Sequence, residues 1–133
     1  MGYITYNSIE DTRKEKVMEF EVIFYDKPDG TEPAKDFIIS LPEAMNAKFL
    51  KILEILQKRG YNLREPFSKP LKDGIFELRA QVGNDISRVL YFFYVGKKVI
   101  LTNGFIKKTQ KTPQKEIDLA LKYKNDYLKR VMK

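Results

Sequence analysis

The sequence predicts an α+β domain: an N-terminal strand, a two-helix hairpin, an antiparallel sheet of about four strands, and a C-terminal helix. Three observations carry that prediction. Alternation of apolar and polar residues opens near residue 19 and returns at about 75–82, followed by two further strand-like segments up to 106 set off by short turns. Two stretches between them, 31–41 and 43–59, carry apolar residues at helical spacing. A last helical pattern follows Thr112 and Pro113.

Each element has a local reason. Phe20, Val22 and Phe24 alternate with Glu19, Glu21 and Ile23, which suits a strand over about 19–26, ended by the turn residues Pro28, Asp29 and Gly30. Thr31 is a candidate N-cap for a short helix with Ala34, Phe37, Ile38 and Leu41 on one face. Ser40 precedes Glu43 at capping-box spacing, and Pro42 stands near the helix start between them. The helix over about 43–59 then buries Met45, Phe49, Ile52, Leu53 and Leu56, with Gly60 placed to end it after Lys58 and Arg59. Residues 61–70, with two prolines, read as a loop. Strands over about 75–82, 86–95 and 98–106 are joined by Gly83–Asn84–Asp85 and Gly96–Lys97, turns short enough only for antiparallel neighbours. The strand from Ile86 to Val95 is apolar on both faces except at Ser87 and Arg88, so it belongs inside the sheet. Thr112 as N-cap and Pro113 at N1 would start the final helix. Residues 1–17 show no sustained periodicity. They read as an N-terminal extension or tail to a domain over 18–133, with Met18 as an alternative start.

Composition narrows the chemistry. The chain has 133 residues, 43% hydrophobic, with no cysteine and no histidine. Disulfides, thiolate metal sites, cysteine nucleophiles and imidazole acid–base pairs are therefore excluded. No apolar run approaches the ~18 residues of a membrane span, and no signal peptide is visible, so a soluble cytoplasmic protein is expected. The formal charge of +7 is uneven: residues 1–103 carry 16 basic and 15 acidic side chains, whereas 104–133 carry 9 and 3. Such a basic stretch suits a polyanion, or else a solvated helix kept basic for solubility.

Two places could carry chemistry. Arg88 lies in an apolar strand, and its charge needs a carboxylate, water or a ligand. It is either an ion-pair partner of Glu77 or Asp85, or half of a guanidinium clamp with Arg79 on the neighbouring strand, suited to phosphate. Glu77 and Arg79 share a polar face and could equally pair with each other. The second place is Asn103 to Pro113, where a strand ends, Lys107, Lys108 and Lys111 follow, and a helix begins. Those cations and the helix N-terminus would form an anion site, or the stretch is a hydrophilic loop. No clustered carboxylate motif marks a magnesium site, and no cofactor is expected.

The run Ile75-Phe76-Glu77-Leu78-Arg79, then Ser87-Arg88-Val89-Leu90-Tyr91-Phe92, then Gly104-Phe105-Ile106-Lys107-Lys108-Thr109-Gln110-Lys111-Thr112-Pro113 with Glu116-Ile117, resembles the HigB-type toxins. These form the phage-protein-like branch of the RelE/ParE superfamily of type II toxin–antitoxin systems. The resemblance spans roughly residues 19–131 and leaves the first 17 unexplained. It implies a RelE-like fold, ribosome-dependent mRNA cleavage that inhibits translation, and neutralisation by a cognate helix-turn-helix antitoxin. The ribosome and mRNA are then the other partners, and no membrane is involved. The superfamily also holds gyrase poisons, so fold alone does not fix the activity.

Cleavage by an internal 2′-hydroxyl needs a base, stabilisation of the developing phosphorane charge, and an acid for the leaving 5′-oxygen. Without histidine, the resemblance implies a metal-independent site of Arg, Lys, Glu and Tyr. Arg79 and Arg88 would hold the scissile phosphate. Lys107 and Lys108 would position the backbone, one of them aiding deprotonation or serving as acid. Glu77 is the alternative base. Tyr91 is a proton donor, a base-stacking partner, or simply core. Lys69, Lys72, Thr109 and Lys111 would make secondary substrate contacts. The alternatives are a non-catalytic RNA-binding module and a degenerate toxin that only binds its antitoxin.

Overall fold

A computed structural model describes residues 19–106 and 110–132. The proposed extension over 1–17 and the site candidates Lys107, Lys108 and Thr109 lie outside the described residues. The elements run β1 (Glu21–Phe24), α1 (Pro33–Ser40), α2 (Glu43–Arg59), a 3-10 turn (Gly60–Asn62), β2 (Ser68–Pro70), β3 (Phe76–Val82), β4 (Asp85–Tyr94), β5 (Lys98–Ile106) and α3 (Gln114–Val131).

The expected α+β architecture is present, with two differences in the sheet. It has five strands in the order β1-β5-β4-β3-β2, and it is mixed. β3, β4 and β5 form the expected antiparallel meander, but β1 runs parallel to β5, from Glu21 opposite Lys98 to Phe24 opposite Leu101. The fifth strand lies inside the stretch read as a loop: Ser68 to Pro70 pairs antiparallel with β3. Proline has no N–H to give a ladder, which confines it to an edge, and β2 is the edge.

The helix ends also differ from the capping pattern. Asp29 Oδ1 accepts hydrogen bonds from both the N–H and the hydroxyl of Thr31, so Thr31 closes a turn while Pro33 begins α1. Ser40 ends α1 and donates back to the Phe37 carbonyl, leaving Pro42 at the N-cap of α2. Gly60 ends α2 as expected, at a φ of 50°.

Two cores sandwich the sheet. On one face Leu78, Ala80, Val89, Tyr91, Val99 and Leu101 pack against Ala34 and Ile38 of α1 and Met45, Phe49, Ile52 and Leu56 of α2. On the other, Leu90, Phe92 and Ile100 pack with Tyr25 and with Ala120 and Tyr123 of α3. Gly104 of β5 lets α1 approach, because a Cβ there would overlap the Phe37 ring.

Candidate active site

The site grows out of the β3–β4 register. Arg79 stands opposite Arg88, Glu77 opposite Leu90, and Gln81 opposite Ile86. Strand alternation gives these residues the face that α3 partly covers, while Leu78, Ala80, Val89 and Tyr91 take the face under α1 and α2.

Two adjacent guanidiniums repel, and Glu77 resolves the conflict. Its side chain is fully buried. Oε1 accepts a hydrogen bond from Arg88 Nη1 and lies 3.5 Å from Arg79 Nε. Oε2 accepts one from the Thr112 hydroxyl at 2.5 Å. The ion-pair reading of Arg88 is thus realised, with Glu77 as the partner. Both carboxylate oxygens are engaged, which leaves Glu77 badly placed to take a proton from a substrate. Arg88 is itself buried at 4% exposure, and its Nε has no hydrogen-bond partner. Burial pulls this guanidinium below its ordinary pKa, with Glu77 opposing and Arg79 adding to the shift. Arg79 is different, with a side chain that keeps 24% exposure.

Both arginines open onto a cleft of about 430 Å³. Lys48 of α2 lines it too, beside Ile52, Phe67 and Ile86. The sequence reading missed Lys48. Its signal was available: it sits one helical turn before buried Ile52, so it must flank the apolar stripe. Thr112 was read as an N-cap, but Pro113 takes that place and the Thr112 hydroxyl is spent on Glu77 across 35 residues of sequence. Nothing in a local pattern could reveal that partner.

The remaining candidates spread around this centre. Lys69 stands opposite Glu77 on β2, half-buried. Lys72 is exposed in the loop before β3, and Lys111 is exposed before α3. The start of α3 is clipped to β5, where Asn103 Nδ2 donates to Glu116 Oε1 at 3.1 Å and Thr102 donates to Asn103 Oδ1 at 2.7 Å. Tyr91 is not brought to the site. It lies beneath the sheet at 1% exposure, stacks on Phe76, and shares a hydrogen bond with Ser68. Burial pushes its pKa up to about 12, against the Ser68 hydrogen bond. Its place is the core reading. Among the described residues no group of three or more acidic side chains comes together to hold a metal ion, and no helix is long and apolar enough to cross a membrane.

Chemically, the cluster is a buried carboxylate under two guanidiniums, with an ammonium across the cleft. Its balance is cationic, and the accessible cation is paired with one that is held in place. That arrangement has the charge and donor geometry to accept an anion of phosphate size.

Comparison with known proteins places the chain in a family. No curated protein matches the chain. The model of the phage-derived protein Gp49-like family (DUF891) matches residues 36–125, from α1 through most of α3 and including every described site residue. That match covers more than half of the chain, and the family lies within the RelE/ParE-like toxin superfamily. The chain therefore belongs to the Gp49-like family, a family of toxins from toxin–antitoxin systems.

Proposed function

We propose that this protein is a HigB-type toxin that cuts ribosome-bound mRNA, without a metal ion, and so arrests translation. The observation that carries the proposal is the Arg79–Arg88 pair on adjacent strands, opening with Lys48 onto one cleft. RNA offers such a site a phosphodiester with an internal nucleophile. The 2′-oxygen forms a bond to phosphorus, its proton leaves to a base, and the bond from phosphorus to the 5′-oxygen breaks as that oxygen gains a proton. The products are a 2′,3′-cyclic phosphate and a 5′-hydroxyl.

Arg79 binds the non-bridging oxygens and stabilises the charge that grows on them, because its side chain is the more accessible of the two arginines. Arg88 supplies fixed positive potential from beneath. Lys107 and Lys108 follow β5 directly in sequence and complete the charge, one of them taking part in proton transfer. A lysine at its ordinary pKa of about 10.4 is a poor base at neutral pH, and neighbouring cations lower that value. Catalysis of this modest kind suits an enzyme that lets the ribosome align its substrate. The antitoxin, a helix-turn-helix protein in this reading, would neutralise the toxin in the cytoplasm.

The test is induction of the chain alone, with primer extension on cellular transcripts. Growth arrest with new 5′ ends inside translated messages is expected, and Lys107→Ala should remove both. RNA binding without cuts would favour the non-catalytic module. No growth effect, with a stable antitoxin complex, would mark a degenerate toxin.

A further inference from the structure

The Thr112 hydroxyl has no capping role and yet is almost fully buried. It reaches Glu77 from just outside α3, and Glu77 in turn holds Arg88. A carboxylate on a strand has several rotamers. Only an orientation that splits its two oxygens, one toward Arg88 and one toward Thr112, satisfies all three groups here. Glu77 is fully buried, so water is not at hand to replace either partner.

We infer that Thr112 is a positioning residue: its hydroxyl fixes the Glu77 carboxylate, which fixes the Arg88 guanidinium under the cleft, so the segment leading into α3 sets the geometry of the phosphate site. The inference rests on the nuclease reading above and deepens it by naming what aligns Arg88. Two features support the direction of the chain of contacts. Arg88 Nε is buried without a partner, so Glu77 is what holds this end of the side chain through Nη1. Arg79 lies farther from the same oxygen, at 3.5 Å, and is too loosely held to orient it. Asn103 and Glu116 join β5 to the first turn of α3, which keeps the Thr112 segment against the sheet. Thr112 touches no substrate in this scheme. It acts through Glu77 and Arg88.

The experiment compares Thr112→Val, which keeps the shape and loses the hydroxyl, with Thr112→Ser, which keeps the hydroxyl. One arm is NMR of the arginine Nε–H groups in the purified full chain. The Arg88 resonance, assigned by its loss in Arg88→Lys, should shift or broaden in Thr112→Val and stay at its wild-type position in Thr112→Ser. The second arm is single-turnover cleavage of mRNA on programmed ribosomes. Thr112→Val should slow cleavage about tenfold, with the half-saturating toxin concentration unchanged and Thr112→Ser within about twofold of wild type. In an Arg88→Lys background, Thr112→Val should cost little more, because both changes break one chain of contacts. An unmoved Arg88 resonance, wild-type cleavage by Thr112→Val, or losses that simply multiply in the double variant would each overturn the inference. Failure of the wild-type chain to cut would overturn the nuclease reading, and with it any catalytic role for Thr112, and that result is distinct from the other three.

Discussion

One face of the sheet holds two very different regions. Where α3 covers it, Leu90, Phe92 and Ile100 meet Tyr25, Ala120 and Tyr123, and the packing is hydrocarbon and aromatic. Beside that region, on β3 and the start of β4, buried Glu77 and Arg88 form an ionic cluster with the partly exposed Arg79. The first region lowers free energy by removing apolar surface from water. The second gains little on balance, since desolvating charges offsets their attraction. An apolar replacement would serve stability as well. The contrast teaches that stability alone does not account for the ionic end, and that its members differ in how firmly they are held.

The largest expected effect tests whether the ionic region is also structural. Arg88→Ala leaves Glu77 charged and buried without its main partner, and should cost about 3–5 kcal/mol in denaturant unfolding. Phe92→Ala, in the hydrocarbon region, should cost a similar ~3–5 kcal/mol through a cavity. Were Arg88 only half of a phosphate clamp, Arg88→Ala would lose activity and keep its stability; the pairing with Glu77 makes it structural as well. Equal stability of Arg88→Ala and wild type would break the comparison.

Arg79→Ala separates the two arginines. Its guanidinium, partly exposed and loosely paired at 3.5 Å, contributes at most ~1 kcal/mol to folding. Cleavage on ribosomes should nonetheless fall about a hundredfold, equivalent to about 2.7 kcal/mol of transition-state stabilisation. A drop in stability as large as that of Arg88→Ala, or cleavage at the wild-type rate, would contradict the assignment.

Tyr91 sharpens the comparison from beneath the sheet. Its folded pKa of about 12 lies above the ordinary value of 10.0, so the fold favours the neutral phenol. Its contribution is fully present below pH 10 and is lost as pH rises toward 12, with a total near ~2–3 kcal/mol. Unfolding of Tyr91→Phe measured across that window should show a shallower decline, and cleavage at neutral pH should stay within about twofold of wild type. A large loss of cleavage would return Tyr91 to the site.

The smallest effect belongs to the surface. Arg130 meets Asp26 at 3.4 Å and Asp126 at 3.1 Å, all partly exposed. Arg130→Ala should cost under ~1 kcal/mol, less in high salt, and leave cleavage unchanged.

Much of this was legible in residue patterns. β3, β4 and β5 were legible to within a residue or so, β3 by its alternation and β4 and β5 as apolar runs bounded by short turns, because both faces of those two strands are buried. Arg88 stood out as a charge in an apolar run, and Glu77 was among its two named partners. What the sequence could not reveal was long-range. β2 is three residues ending in proline, too short to show a period. The parallel pairing of β1 is a matter of topology. Thr112 obeyed a local capping rule that a distant buried carboxylate overrode. Helical spacing puts Lys48 beside the apolar stripe of α2, but only the packing of that helix brings it to the cleft with Arg79 and Arg88.

The most direct test of the central claim is the chemistry of the cut ends in mRNA translated in a reconstituted system with the purified chain. The account predicts upstream fragments ending in a 2′,3′-cyclic phosphate and downstream fragments starting with a 5′-hydroxyl, with both lost in Arg79→Ala. Ends bearing a 3′-hydroxyl and a 5′-phosphate, or intact messages, would contradict it.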